Sequence, residues 1–164
     1  MRAWINYGKV SPEGIQAVRG MENYVRQCGL EPPLLELVRL RASQINGCSF
    51  CIDAHTKDAR AQGESEQRLY CLSAWWETPF YSDRERAALA WTEAVTRISE
   101  KQVPDDVYEN AMAQFSEQEL VDLTMAVVAV NTWNRLAICF NTPPGSYHPD
   151  SPVAIRKVLD PSSV

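Results

Sequence analysis

The placement of proline limits this chain to a small set of folds. Proline is tolerated in the first turn of a helix but disrupts a helix interior, so long helices must fit between prolines. Apolar residues recur at helical spacing in these stretches, and no useful length of alternating apolar and polar residues predicts a strand. The sequence therefore predicts an all-α, single-domain bundle of six or seven helices. Its ten prolines leave four long proline-free stretches, at 13–31, 34–78, 80–103 and 105–142.

Two capping boxes mark where helices begin. Ser82 is followed three residues later by Glu85, and Ser116 by Glu119, which is the S-x-x-E pattern of a helix N-terminus. The second box opens a long apolar stretch that reaches Phe140. Its residues 125–130 alone could form a buried strand, but the capped context favours a helix that is apolar on nearly every side.

Length and composition fit one globular domain. The 164 residues are 45% hydrophobic and 23% charged, which is ordinary for a chain that buries one core. We expect that core to span about residues 30–140, followed by a proline-rich tail over 141–164 that wraps the surface. A short helix is expected within the tail, over 152–159.

Charge and cysteine content argue against several classes of protein. A net charge of −5 without a basic cluster predicts no nucleic-acid partner. No apolar run approaches the ~20 residues of a membrane span, and the first residues lack the apolar region of a secretory signal. Five cysteines are an odd number, which fits the reduced thiols of a cytoplasmic protein better than a disulfide scaffold.

The segment from Cys48 to His55 carries the strongest functional pattern. If Asn46 or Gly47 caps a helix here, then Cys48, Cys51 and His55 follow the spacing i, i+3, i+7 and share one face. Unpaired N–H groups and the positive end of the helix dipole stabilise a thiolate there, and thiols one turn apart can form a disulfide. A redox dithiol needs these properties, because one sulfur is activated and the other resolves its oxidised form.

Glu36 lies twelve residues before Cys48, on the preceding predicted helix. If the two helices are antiparallel neighbours, its carboxylate can lie beside His55 or Cys48 and complete a proton relay. Zinc is the leading alternative, but a structural zinc site needs four ligands, and the other histidine, His148, lies in the tail. A thioredoxin-type site would need a βαβ context, which the sequence lacks. Redox and metal-binding interpretations both stay open on these residues alone.

The motif resembles that of a known superfamily. Glu36, eleven intervening residues and then Cys48-x-x-Cys51-x-x-x-His55 are similar to the motif of the alkyl hydroperoxidase D and carboxymuconolactone decarboxylase superfamily. The resemblance covers about residues 30–140. The small peroxidase-related members of the superfamily are similar to this chain in three runs, at 45–56, 80–89 and 131–135.

This resemblance implies an all-α, alkyl hydroperoxidase D-like fold and thiol-dependent reduction of hydroperoxides, with no metal or other cofactor. It assigns attack on the peroxide to Cys51, the resolving role to Cys48, and the proton relay to His55 with Glu36. The implied partners are an external dithiol reductant, either a protein or of lipoyl type, and further copies of the chain in a trimer or hexamer. Phe50 departs from the hydroperoxidase pattern, which has a histidine just before the second cysteine, and so removes one relay member.

Two alternatives to a peroxidase remain. One is a non-enzymatic helical oligomer with a redox-sensing or metal-binding Cys-x-x-Cys. The other is a carboxymuconolactone decarboxylase-like enzyme, although that branch generally lacks the cysteine pair.

Other residues carry weaker signals. Trp75 and Trp76 could line a pocket, contact a subunit or pack at a helix end, and Glu93 could be buried near the site or point outward. Apolar and aromatic residues in 75–91 and 120–140 exceed what one core covers easily, which predicts a homo-oligomer with the dithiol near a subunit boundary. The remaining cysteines, Cys28, Cys71 and Cys139, are expected to be buried and to pack as small hydrophobic residues. Three polar residues of the last long helix are expected to hold helices together through polar contacts; these are Asn131, Asn134 and Arg135.

Overall fold

Helices are the only regular structure within residues 2–149, which are the residues that the computed structural model describes. The all-α prediction is confirmed. The expected helix over 152–159 lies outside the described residues. In chain order the α-helices are α1 (Tyr7–Val10), α2 (Pro12–Val25), α3 (Pro32–Asn46), α4 (Ser49–Ala61), α5 (Glu66–Cys71), α6 (Asp83–Thr96), α7 (Asp105–Met112) and α8 (Glu117–Cys139), with a 3-10 helix (Leu72–Glu77) between α5 and α6.

The helix count exceeds the predicted six or seven because two short elements were not expected. Helix α1 is only four residues long, too short to leave a periodic pattern in the sequence. The segment between α4 and α6 divides into α5 and the 3-10 helix, within which Ala74 has non-helical backbone angles.

Both capping boxes form as predicted. The Ser82 hydroxyl accepts the Glu85 N–H at 3.3 Å, and the Glu85 carboxylate accepts the Ser82 N–H at 2.8 Å. Ser116 and Glu119 repeat the arrangement with the same two distances. These reciprocal bonds satisfy two backbone donors at each helix start, so α6 and α8 begin where the sequence places them.

Helix α3 is the centre of the fold. It packs against α4, α6 and α8, and every residue from Leu34 to Ser43 is buried. Its apolar residues join two hydrophobic clusters, one shared with α2, α6 and α8 and the other with α4, α5 and the 3-10 helix. Because α3 is enclosed on all sides, its polar residues Glu36, Arg39 and Arg41 are buried as well.

Helix α8 is less enclosed than its apolar sequence suggests. Val121 and Val128, seven residues apart on one side, are 58% and 39% exposed, and Ile138 is 46% exposed. The expectation that Cys139 is buried is wrong, because this last residue of α8 lies on a solvent-facing side; Cys28 and Cys71 are half-buried. Among residues 2–149, no helix combines the length and the apolarity needed to cross a bilayer.

Candidate active site

Two adjacent thiols form the start of helix α4. Gly47 ends α3 in the left-handed region at φ 69°, and this turn brings Cys48 to the N-cap of α4. The Cys51 N–H donates to the Cys48 sulfur at 3.4 Å, and the two sulfurs lie 2.6 Å apart. The expected cap was Asn46 or Gly47, whereas Cys48 is itself the capping residue. Both cysteines are buried.

The capping position favours a thiolate on Cys48. The hydrogen bond from the Cys51 thiol is the largest cause that lowers the pKa of Cys48, to about 7; burial opposes it, and the Cys51 N–H and the charge of His55 add to it. The pKa of Cys51 is raised by its hydrogen bond to Cys48, by burial and by the Cys48 charge, although an Asn134 hydrogen bond lowers it. The attack assigned to Cys51 by resemblance stays a prediction, and the capping geometry favours the other sulfur for the first charge.

A buried chain of charges leads from helix α2 to His55. The Glu36 carboxylate lies 3.0 Å from His55 Nδ1 and accepts from Arg39 at 2.6 Å, and Arg39 also donates to Glu22 at 2.7 Å. Burial alone would raise the pKa of Glu36, but the hydrogen bonds and charges of His55 and Arg39 lower it to about 2. The structure thus places Glu36 against His55, which the proposed relay requires, and keeps Glu36 ionised.

Two residues beside His55 were missed by the sequence analysis. Oxygens of Asp58 and Glu36 and a nitrogen of His55 all lie within 4.8 Å of one another. The Tyr147 hydroxyl donates to both carboxylate oxygens of Asp58, at 2.5 and 2.7 Å. The i+3 spacing from His55 could have indicated Asp58. No local sequence pattern could have indicated Tyr147, because it lies 89 residues after Asp58.

The same three side chains, Glu36, His55 and Asp58, are the group among the described residues that could hold a metal ion. Arg39 and Tyr147 already bind the two carboxylates, so the negative charge on Glu36 is compensated within the protein. The two cysteines are not members of this group.

Asparagine side chains anchor the dithiol turn to helix α8. The Asn46 amide donates to Asn131 at 3.0 Å and to Asn134 at 2.8 Å, and Asn134 donates to Ser43 at 3.0 Å. Asn134 is fully buried. The expectation that polar residues of α8 join helices is met for Asn131 and Asn134, whereas Arg135, among the described residues, donates only to Asn131 within α8. Asn134 also lowers the pKa of Cys51.

A cleft of about 160 Å³ opens beside Cys48. Phe50, which stands where the hydroperoxidase pattern has a histidine, contributes an apolar wall. The lining residues are Gly47, Cys48, Ser49, Phe50, Ala137, Ile138, Asn141 and Thr142.

Trp75, Trp76 and Glu93 belong to a different part of the molecule. Glu93 accepts from Trp75 and Arg41 at 2.8 Å each, and Trp76 stacks edge-on against Trp75. Trp75 also lines a second cleft of about 390 Å³, which shares no lining residue with the dithiol cleft. These residues therefore pin the 3-10 helix to α3 and α6.

A capped dithiol backed by a buried carboxylate–histidine pair, within an all-α bundle, defines a class of helical thiol protein. The chain belongs to the carboxymuconolactone decarboxylase family, whose model matches residues 12–94 and so includes Glu36, Cys48, Cys51 and His55. This family assignment confirms the resemblance recognised in the sequence.

Similar proteins agree with this assignment. The chain is 45% identical over 134 residues to the uncharacterized protein YdfG of Bacillus subtilis, covering 82% of this chain and 91% of that one. A crystal structure of ATU0492 from Agrobacterium tumefaciens, described as of unknown function and as a candidate antioxidant defence protein AhpD, is 48% identical with a TM-score of 0.85, covering 88% of this chain and 99% of that one. The debrominase Bmp8 shares the fold at 17% identity and a TM-score of 0.76, over 93% of this chain and 78% of that one.

Proposed function

We propose that this protein is a thiol-dependent peroxidase that reduces hydroperoxides through a dithiol–disulfide cycle. The observation that carries the proposal is the pairing of two buried, adjacent thiols at the start of α4 with His55 one turn further along α4, where His55 contacts the ionised Glu36 of α3. The similarity to ATU0492, described as a candidate antioxidant defence protein, supports the same activity.

The chemistry proceeds in two steps at the sulfurs. The thiolate, which the capping geometry favours on Cys48, attacks one peroxide oxygen; the O–O bond breaks, and sulfenic acid and an alkoxide form. The second thiol, Cys51, then attacks the sulfenic sulfur, a disulfide forms, and the hydroxyl leaves as water with the thiol proton. An external dithiol, of protein or lipoyl type, transfers two electrons and two protons to the disulfide and restores the pair.

His55 supplies the proton that the alkoxide needs. Because Glu36 is ionised and bound to Nδ1, it orients the ring and leaves Nε2 to exchange protons with the reacting groups. The peroxide enters through the cleft beside Cys48, where Phe50 and Ile138 suit an alkyl group.

The protein is proposed to act in the cytoplasm as a homo-oligomer, a hexamer or a trimer. The exposed apolar residues Val121, Val128 and Ile138 on α8 support assembly, because an aqueous surface does not favour them. Ile138 also lines the dithiol cleft, which supports a site near a subunit boundary.

A peroxide-consumption assay with several dithiol donors tests the proposal. Wild-type protein is expected to turn over an alkyl hydroperoxide, and Cys48→Ser and Cys51→Ser are both expected to stop turnover because each breaks the cycle. Cys71→Ser is the matched control, since this half-buried thiol lies outside the site. Absence of turnover with every donor, or stoichiometric zinc retained by the purified protein, would contradict the peroxidase.

A further inference from the structure

His55 lies between two carboxylates that differ in their surroundings. Glu36 is buried, binds the Arg39 guanidinium and belongs to the enclosed helix α3. Asp58 lies one turn after His55 on α4, is half-buried, and forms no ion pair among residues 2–149. Both lie near the same imidazole: an oxygen of each carboxylate and a nitrogen of His55 are within 4.8 Å of one another, with Glu36 hydrogen-bonded to the ring at 3.0 Å and Asp58 at a distance that one water molecule bridges. One carboxylate is therefore locked to a cation, while the other has contact with solvent.

The segment after helix α8 closes over Asp58. We call residues 141–149 the C-terminal strap. The Gly145 N–H donates to Asp53 at 3.0 Å, Lys57 donates to the Tyr147 carbonyl at 3.1 Å, and the Tyr147 hydroxyl donates to both oxygens of Asp58. Tyr147 is only 5% exposed. The strap is thus hydrogen-bonded to three residues of α4, and the last of them is Asp58, the carboxylate beside His55.

The charges around Asp58 favour proton exchange there. Burial raises the pKa of Asp58, and the Glu36 charge raises it further, while the Tyr147 hydrogen bond and the charges of His55 and Arg26 lower it; the net shift is upward. The positive charge of Arg39 also interacts with Asp58 through space, but the hydrogen bonds of Arg39 are donated to Glu22 and Glu36. Two carboxylates with opposite shifts beside one histidine indicate two different roles.

We propose that Asp58 is the proton-exchanging carboxylate of the relay, acting on His55 through one water molecule, and that Tyr147 is the positioning residue that holds it beside His55. Each peroxide reduction needs one proton for the alkoxide; His55 gives it, Asp58 returns a proton to His55, and solvent returns one to Asp58. Glu36 orients the ring and carries no proton. This assignment rests on the proposed peroxidase function, and it gives the C-terminal strap a part in the reaction.

Kinetics of three variants test the assignment. Asp58→Asn is expected to lower kcat/KM for the peroxide by about 10²-fold, the lower end of the range for a lost acid–base group, and an added small carboxylic acid is expected to restore part of the rate. Tyr147→Phe is expected to cost about 10-fold, the effect of one hydrogen bond, with a displaced pH–rate profile. Tyr24→Phe is the matched control, because Tyr24 makes a similar bond to Asp122 away from the dithiol.

A titration that needs no turnover provides the second readout. The Asp58 carboxyl carbon, followed by NMR, is expected to titrate above an ordinary aspartate, and higher still in Tyr147→Phe, because that variant loses a bond that lowers its pKa. A midpoint at or below the ordinary value, an Asp58→Asn rate equal to wild type, or a loss that carboxylic acids do not rescue would overturn the role of Asp58 alone. A wild-type protein that reduces no peroxide would overturn the proposed function and this assignment together.

Discussion

Exchanging each sulfur for oxygen separates the two assignments of the attacking thiol. In Cys51→Ser, the residue-51 N–H and a hydroxyl donor still face the Cys48 sulfur, so this thiol keeps most of its lowered pKa. In Cys48→Ser, the Cys51 thiol loses the hydrogen bond and the charge of Cys48, which both raise its pKa, but it stays buried, and burial still raises its pKa. The capping geometry therefore predicts that Cys51→Ser retains the reactive thiolate.

The size of the effect follows from the pKa of Cys48. A pKa lowered from 9.0 to about 7 corresponds to about 3 kcal/mol of preferential stabilisation of the thiolate. At pH 7 about half of the Cys48 sulfur is then ionised, against about 1% of an unperturbed thiol of pKa 9.0, which is roughly a 50-fold difference in the reactive form. Because the pKa is lowered, the reactivity of Cys51→Ser is expected to rise as pH increases through about 7.

Two measurements on reduced protein check this prediction. Ultraviolet absorbance of the thiolate gives each midpoint, and trapping with a sulfenic-acid reagent after one addition of peroxide identifies the sulfur that reacts. Cys71→Ser, with both site sulfurs intact, is expected to titrate as wild type. A lower midpoint and faster sulfenic-acid formation in Cys48→Ser than in Cys51→Ser would refute the capping argument and support the attack by Cys51 that the family resemblance implies.

Three further predictions concern the relay and the assembly. His55→Ala is expected to slow sulfenic-acid formation by roughly 10²–10⁴-fold, and an unchanged pH–rate profile would exclude the relay. Because the pKa of Glu36 is lowered from 4.5 to about 2, its stabilisation is complete above pH 4.5 and is lost as pH falls through 2. Glu36→Gln is therefore expected to lower the free energy of unfolding by about 3 kcal/mol at neutral pH and by little at pH 2, measured by denaturant unfolding. Light scattering of the wild-type protein is expected to give a mass that is a multiple of 18.5 kDa, and a mass near 18.5 kDa would contradict assembly. Val128→Glu is expected to reduce this mass, whereas the control Ile98→Glu, at an exposed residue just beyond α6, is expected to leave it unchanged.

Local chemistry explains the features that the sequence alone predicts. The starts of α6 and α8 follow from capping boxes, whose bonds join residues three positions apart. The Cys-x-x-Cys pair with His55 is also local, since one helix face carries all three residues. The Glu36 to His55 contact could be predicted because a short turn joins two consecutive helices and makes them neighbours.

Tertiary packing decides the rest, because those contacts join residues that are distant in the chain. Glu36 and Arg39 are neighbours on α3, but the bond from Arg39 to Glu22 on α2 and the burial of all three residues need the packed bundle. Tyr147 reaches Asp58 only because the strap returns over α4. Even the charge on the dithiol depends on whether Cys48 lies at the cap or inside the first turn, a difference of one residue that the left-handed turn at Gly47 settles. Sequence spacing places ionisable groups on a helix face, whereas burial and long-range partners set their pKa values, because desolvation and charge act through space and not along the chain.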